Sequence, residues 1–199
     1  SLPAAAATPH RADLSAPAAV LRLAGTLRAA YPRLVVVVSH AGAIFRRRTL
    51  PVDVVERTGA LDHLGYVLLT LDHLDTLKGA AAAGGKPRIV NVASSSGKRS
   101  SATNVAYSVT KSAQLALSRA YAEAWAAQGV LVNAVAPGPT ATGLWTGPEG
   151  LAAQAAAKRG ITREQALEAA AGRTPRGALG APEEIAAVVS HVTAQARPE

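Results

Sequence analysis

Three short runs rich in β-branched residues, each separated from the next by enough chain for a helix, constrain this sequence most. Leu34–Val38 (LVVVV), Arg88–Ala93 (RIVNVA) and Val130–Ala136 (VLVNAVA) read as strands. The first reads as buried on both faces, and Pro137-Gly138 stops the third. Between the first two, Leu61, Leu64, Leu68, Leu71, Leu74 and Leu77 recur at helical spacing, and Gly84-Gly85 closes that segment. Between the second and third, Val105 to Gln128 reads as one long helix closed by Gly129. Strands joined through helices of ten residues or more imply βαβ crossovers. The predicted fold is therefore α/β, a doubly wound parallel sheet covered on both faces.

The flanking segments read as helices. One begins at Asp13-Leu14-Ser15, with Ser15 as its cap, Pro17 in its first turn and Val20, Leu21, Leu23 and Leu27 as its apolar face. Two more occupy about 149–171 and 182–195, the last opening on Pro182-Glu183-Glu184 with its acids at the positive end of the helix dipole.

Composition removes several function classes. The 199 residues, 20.2 kDa, suit one domain spanning 1–199, and 49% hydrophobic against 17% charged residues excludes a disordered chain. With no cysteine there is no disulfide framework and no thiolate metal site. His63 and His73 lie ten residues apart, not a helical turn, so no metal is expected. No apolar run is long enough to span a bilayer, and residues 1–12 lack the basic start and bulky apolar centre of a signal peptide. The expected location is cytoplasmic, with no membrane partner. The net charge of +8 comes from basic residues spread along the chain, apart from Arg46-Arg47-Arg48. No aromatic residues interleave that run, so it reads as a solvated loop and no nucleic-acid partner is expected. The chain has no methionine, even at position 1, which reads as a chain processed, trimmed or cut from something longer.

The chemistry gathers after the second strand. That strand ends in Ser94-Ser95-Ser96-Gly97; Tyr107 follows Ser94 by thirteen residues, and Lys111 follows Tyr107 by four. Positions i and i+4 share a helix face. Ser94 falls at the carboxyl end of a parallel strand, where open α/β sheets build their sites. A phenol titrates near 10 and is a poor base at neutral pH, but a neighbouring ammonium stabilises its anion. A phenol, an ammonium and a hydroxyl so placed can move a proton on or off an alcohol.

These motifs resemble the short-chain dehydrogenase/reductase family, classical type. The resemblance takes in ADLS (12–15), HAG (40–42), LDHLGYVLLT (61–70), RIVNVASSSG (88–97), YSVTK (107–111), VNAVAPGPTAT (132–142) and GAPEEIA (180–186). The segment LDHLGYVLLT looks most like the retinol-dehydrogenase-like branch. The resemblance implies a Rossmann-like sheet, truncated here at both ends, that binds NAD or NADP and interconverts a small-molecule carbonyl and an alcohol. It implies Tyr107 as catalytic acid/base, Lys111 as the group that lowers its pKa and holds the nicotinamide ribose, and Ser94 as the group that positions the substrate oxygen. It places Asp62 where the family's fourth catalytic residue, Asn, holds a water in the proton path. Pro137, Gly138 and Thr142 would border the nicotinamide, Ala41 and Gly42 belong to the cofactor-side HAG turn, and Asp13 would lie by the adenine. The helices around 61–78 and 105–128 are those the family pairs in a homodimer.

Three departures stand out. The family's opening Gly-rich TGxxxGxG turn is absent, His40 replaces the Asn of its NAG turn, and Asp62 replaces the catalytic Asn. They leave an alternative open: a catalytically silent relative serving as a binding or oligomerisation module. Among single residues, His40 reads as a hydrogen-bonded loop residue, and Asn91 and Asn133 as structural hydrogen-bonders. Trp145 reads equally as a roof over the substrate pocket or as packing.

Overall fold

The computed structural model describes residues 8–43, 56–100 and 104–194. Arg46–Arg48 lie outside the described residues. Three parallel strands, β1 (Val36–Ser39), β2 (Arg88–Val92) and β3 (Leu131–Val135), form a sheet in the order β1-β2-β3. Every residue of β2 is buried, so both its faces are covered. The α/β parallel architecture is the expected one.

The core follows from the register. Val37, Ile89 and Val132 stand opposite one another across the three strands. This row packs on Leu77 from α4 (Leu74–Ala82) and Trp125 from α5 (Val105–Trp125). Leu77 and Ile89 are fully buried, and burying side chains of this size contributes about 1.5–3 kcal/mol each. Tyr121 stacks on Trp125 at 4.0 Å, extending the cluster along α5. A 3-10 turn (Ala126–Gln128) and Gly129, at φ +79°, end that helix where the sequence placed its stop. Gly84, at φ +80°, likewise follows α4.

Several expectations are corrected. Strand β1 is not buried on both faces: Val38 is 44% exposed and Val35 48%, because the described helices reach β2 and leave part of this edge uncovered. Helix α1 (Pro17–Ala30) has Pro17 in its first turn, but Ser15 does not cap it. The Ser15 hydroxyl instead donates to Asp13 at 2.6 Å, and Ala16 takes the cap position.

The leucine-spaced segment is not one regular helix. It runs through α2 (Arg57–Gly59), a π turn (Ala60–Leu64), α3 (Gly65–Asp72) and a break at His73 before α4. Its buried face is Asp62, Gly65, Tyr66, Thr70, His73 and Leu77, while Leu71 is 48% exposed. A π turn admits an extra residue and rotates the helix beyond it, so the leucine spacing no longer marks the inward face. The stretch 149–171 is likewise two helices, α7 (Leu151–Arg159) and α8 (Arg163–Ala171). Gly160, at φ +64°, ends the first, and a Thr162/Gln165 capping box starts the second. Their alanine-rich faces form a separate small core of Ala152, Ala156 and Ala166.

The end of β3 is tied to α9 (Pro182–Ala194) by a parallel bridge between Thr140 and Gly180, in which the Gly180 N–H donates to the Pro139 carbonyl at 2.9 Å. Between these points α6 (Gly143–Thr146), for which the sequence shows no apolar period, carries Trp145, half-buried, and packs on α7. Asn91 is the expected structural hydrogen-bonder, whereas Asn133 is exposed.

Candidate active site

Helix α5 grades from apolar to polar along its inward face. From the Trp125 end toward the amino terminus, Ser118, Gln114, Lys111 and Tyr107 follow at intervals of four, three and four residues, one stripe on one face. Ser118, Gln114 and Lys111 are all buried. Asn91 of β2 donates to the Ser118 hydroxyl at 2.9 Å, and the Lys111 ammonium donates to the Val92 carbonyl at 3.3 Å. The stripe therefore climbs β2 and delivers Lys111 and Tyr107 to its carboxyl end, where Ser94 begins the next turn.

That turn is pinned on two sides. The Ser95 N–H donates to the Pro137 carbonyl at 2.8 Å, joining the ends of β2 and β3. On the other side Gly97 lies flat on α5: a Cβ there would stand 2.7 Å from both the carbonyl carbon and the oxygen of Lys111. The Ser112 hydroxyl donates to the Gly97 carbonyl at 2.7 Å. The Ser94 hydroxyl accepts from the Ser96 N–H at 3.1 Å and hydrogen-bonds the Tyr107 phenol.

Asp62, in the π turn, is completely buried beside this group. One carboxylate oxygen accepts from the Ala43 N–H at 3.0 Å, and the other has no partner among the described residues. Burial lifts its carboxyl to about 6, with the Lys111 charge and the Ala43 amide holding it down and Glu56 pushing it up. Gly42 lies between: a Cβ on it would be 3.3 Å from the Asp62 Oδ1 and 3.4 Å from the Lys111 Nζ. Ala41, before it, accepts from the Tyr66 hydroxyl at 2.7 Å.

The Lys111 Nζ lies 5.5 Å from the centroid of the Tyr107 ring and 5.6 Å from that of Tyr66. Burial pushes the Lys111 ammonium down, and Asp62 pushes it back up. The expected lowering of the Tyr107 phenol is not what this geometry gives. Burial raises it, the Ser94 hydrogen bond lowers it, and the Asp62 charge raises it further. A half-buried phenol beside a carboxylate keeps its proton at neutral pH.

The structure thus brings together Ser94, Tyr107, Lys111, Asp62, Ala41 and Gly42, with Pro137 adjoining through its carbonyl. Gly138 is exposed, with open space where a side chain would stand, and Thr142 is half-buried ahead of α6. Asp13 bonds to Ser15 and faces Arg57 rather than this cluster. His40 is exposed at the strand end. Two participants had no role assigned from the sequence, Tyr66, inside LDHLGYVLLT, and Gln114, outside every motif. The Gln114 side-chain amide donates to the Asp62 backbone carbonyl and also bears on the Tyr66 phenol. Their spacing, four residues after Asp62 and three after Lys111, was the available signal.

The residues fit the nicotinamide and ribose half of a dinucleotide: hydroxyls and an amine converge beside glycines that leave space free. The sequence holds no TGxxxGxG turn for the pyrophosphate. Among the described residues there is no group of side chains suited to a metal ion, and no helix long and apolar enough to cross a membrane.

Comparison with known proteins gives the family. The profile of the short chain dehydrogenase family matches residues 2–149. An acetoacetyl-CoA reductase of Rhizobium meliloti is 33% identical over 102 residues, covering 51% of this chain and 37% of that protein. The rhamnolipids biosynthesis 3-oxoacyl-[acyl-carrier-protein] reductase of Pseudomonas aeruginosa is 30% identical over 181 residues, covering 89% and 66%. A solved structure, the Pseudomonas aeruginosa RhlG/NADP active-site complex, superposes with a TM-score of 0.69 at 30% identity, over 92% of this chain and 66% of that one. The chain spans little more than a third of the first relative's length and just under two thirds of the second's. With the match extending from residue 2 through the serine turn, the tyrosine helix and the third strand, the chain belongs to the short-chain dehydrogenase family of oxidoreductases.

Proposed function

We propose that residues 1–199 form one Rossmann-like domain that reduces a carbonyl to an alcohol with NADH or NADPH, using Tyr107 as the acid. The observation that carries this reading is the convergence of the Ser94 hydroxyl, the Tyr107 phenol and the Lys111 ammonium at the carboxyl end of the central strand. Ser94 and Tyr107 together would hold the substrate oxygen by two hydrogen bonds. A phenol that keeps its proton at neutral pH suits donation to a carbonyl oxygen, which is the reductive direction. Lys111 would bind the ribose hydroxyls and favour the phenolate left after donation. Gly42, Pro137, Gly138 and Thr142 would border the nicotinamide, and Asp13 the adenine. A bound reduced nicotinamide supplies the hydride.

The names of the relatives, acetoacetyl-CoA and 3-oxoacyl reductases, support a 3-oxoacyl thioester as substrate class. The likeness of LDHLGYVLLT to the retinol-dehydrogenase branch favours an apolar alcohol instead. Exposed Val105 and Val109 on α5 and Leu71 on α3 support a homodimer through these helices. A cytoplasmic location suits this chemistry.

The test is NADPH- or NADH-dependent turnover of a 3-oxoacyl thioester and of a long-chain aldehyde. Tyr107→Phe is expected to lower kcat by about a hundredfold or more; unchanged turnover removes the mechanism. The second reading, a silent binding module, is favoured by the missing Gly-rich turn and by Asp62. Calorimetric titration with both dinucleotides separates the two: micromolar binding argues against silence.

A further inference from the structure

We propose that Asp62 is the counter-ion that keeps Lys111 charged, acting across the gap left by the missing side chain of Gly42, and thereby sets the upper pH limit of the site. The proposal rests on the reading of Lys111 as a working cation and adds what holds it so. A buried ammonium is costly unless a compensating charge is near. Lys111 is 2% exposed, and among the described residues its ammonium has one hydrogen bond, to the Val92 carbonyl. Asp62 is 0% exposed, and one of its carboxylate oxygens has no partner among the described residues.

The two side chains converge on one point of the backbone, 3.3 and 3.4 Å from the position a Gly42 Cβ would take. A Cβ at 42 would crowd both groups, and one of them would have to give by a few tenths of an ångström. The remaining described groups around the pair do not replace the carboxylate. Tyr66 from α3 and Tyr107 from α5 present neutral rings, β2 presents a carbonyl, and the 41–43 turn presents the Ala43 amide, which is already bonded to Asp62. Glu56, the other acid bearing on Asp62, is engaged in capping Thr58 and Gly59, and Arg57 bears on Asp13. Burial presses the ammonium toward neutrality while Asp62 opposes it.

The test tracks the Lys111 side-chain resonance by NMR through a pH titration of the full chain, assigned by its loss in Lys111→Met. In Asp62→Asn, which keeps an oxygen for the Ala43 amide, the Lys111 midpoint is expected to fall by about one pH unit or more. The alkaline limb of the turnover profile should move down with it. Should Asp62→Asn fail to fold, Asp62→Ser, which also removes the charge and keeps an oxygen as acceptor, is read the same way, and a downward shift is expected there too. An unchanged Lys111 midpoint in the folded variant overturns the proposal. Failure of the functional reading looks different: Tyr107→Phe would retain turnover while the Lys111 midpoint still responded to Asp62.

Discussion

At the scale of single residues the site is governed by desolvation. Asp62 is the case that pH can test, since burial pushes its carboxyl up to about 6 from near 4. Between those values the folded protein holds a proton that the unfolded chain has released, so stability must fall as pH rises through that window. Two units correspond to about 3 kcal/mol. Unfolding in denaturant at pH 4 and at pH 7 should register this decline in the wild type, and Asp62→Asn should abolish most of it. A wild-type protein equally stable at both values would refute the assignment. Ser94, Tyr107 and Lys111 were legible in the sequence because helical geometry fixes the last two on one face and the strand end fixes the first. Tyr66, Gln114 and the closeness of Gly42 to both charges were not, because they depend on how the π turn meets α5.

At the scale of elements, local chemistry and tertiary packing divide the work. Helix α8 is set up locally: Thr162 and Gln165 bond reciprocally to each other's backbone N–H groups. Thr162→Ala should cost about 1 kcal/mol there. Faster amide exchange in the first turn of α8, with unchanged exchange in α5, is the expected readout. The segment 57–82 behaves otherwise. Its leucine spacing described a regular helix, yet the fold inserts a π turn, breaks the helix at His73 and buries Asp62, Tyr66, Thr70 and His73. The π turn is the element that carries Asp62 into the site, and π turns recur where function requires a displaced side chain. No apolar period announces such a turn, because what fixes it is the partner helix: the Gln114 amide holds the Asp62 carbonyl.

For the whole molecule, the row Val37–Ile89–Val132 lying on Leu77 and Trp125 is the junction of all three strands with two helices. Leu77→Ala removes the one fully buried side chain through which α4 reaches that row, and should cost about 2–5 kcal/mol. Thermal unfolding should move to markedly lower temperature, and a variant melting with the wild type would show that this junction is not the core. The same junction aims α5, so its polar stripe reaches the end of β2 only while the apolar end stays seated on the row.

The sequence by itself determined the class of fold, the parallel order of strand and helix, and the three side chains of the candidate site, Ser94, Tyr107 and Lys111. Each is encoded by local spacing: β-branched runs, helix-length connections, and residues a turn apart. Only the tertiary structure decided that the carboxyl of Asp62 and the amine of Lys111 share one dry space, and that the phenol of Tyr107 is raised rather than lowered. Burial and the approach of segments distant in sequence set the energy of a charge, and neither is written in the spacing of residues along the chain.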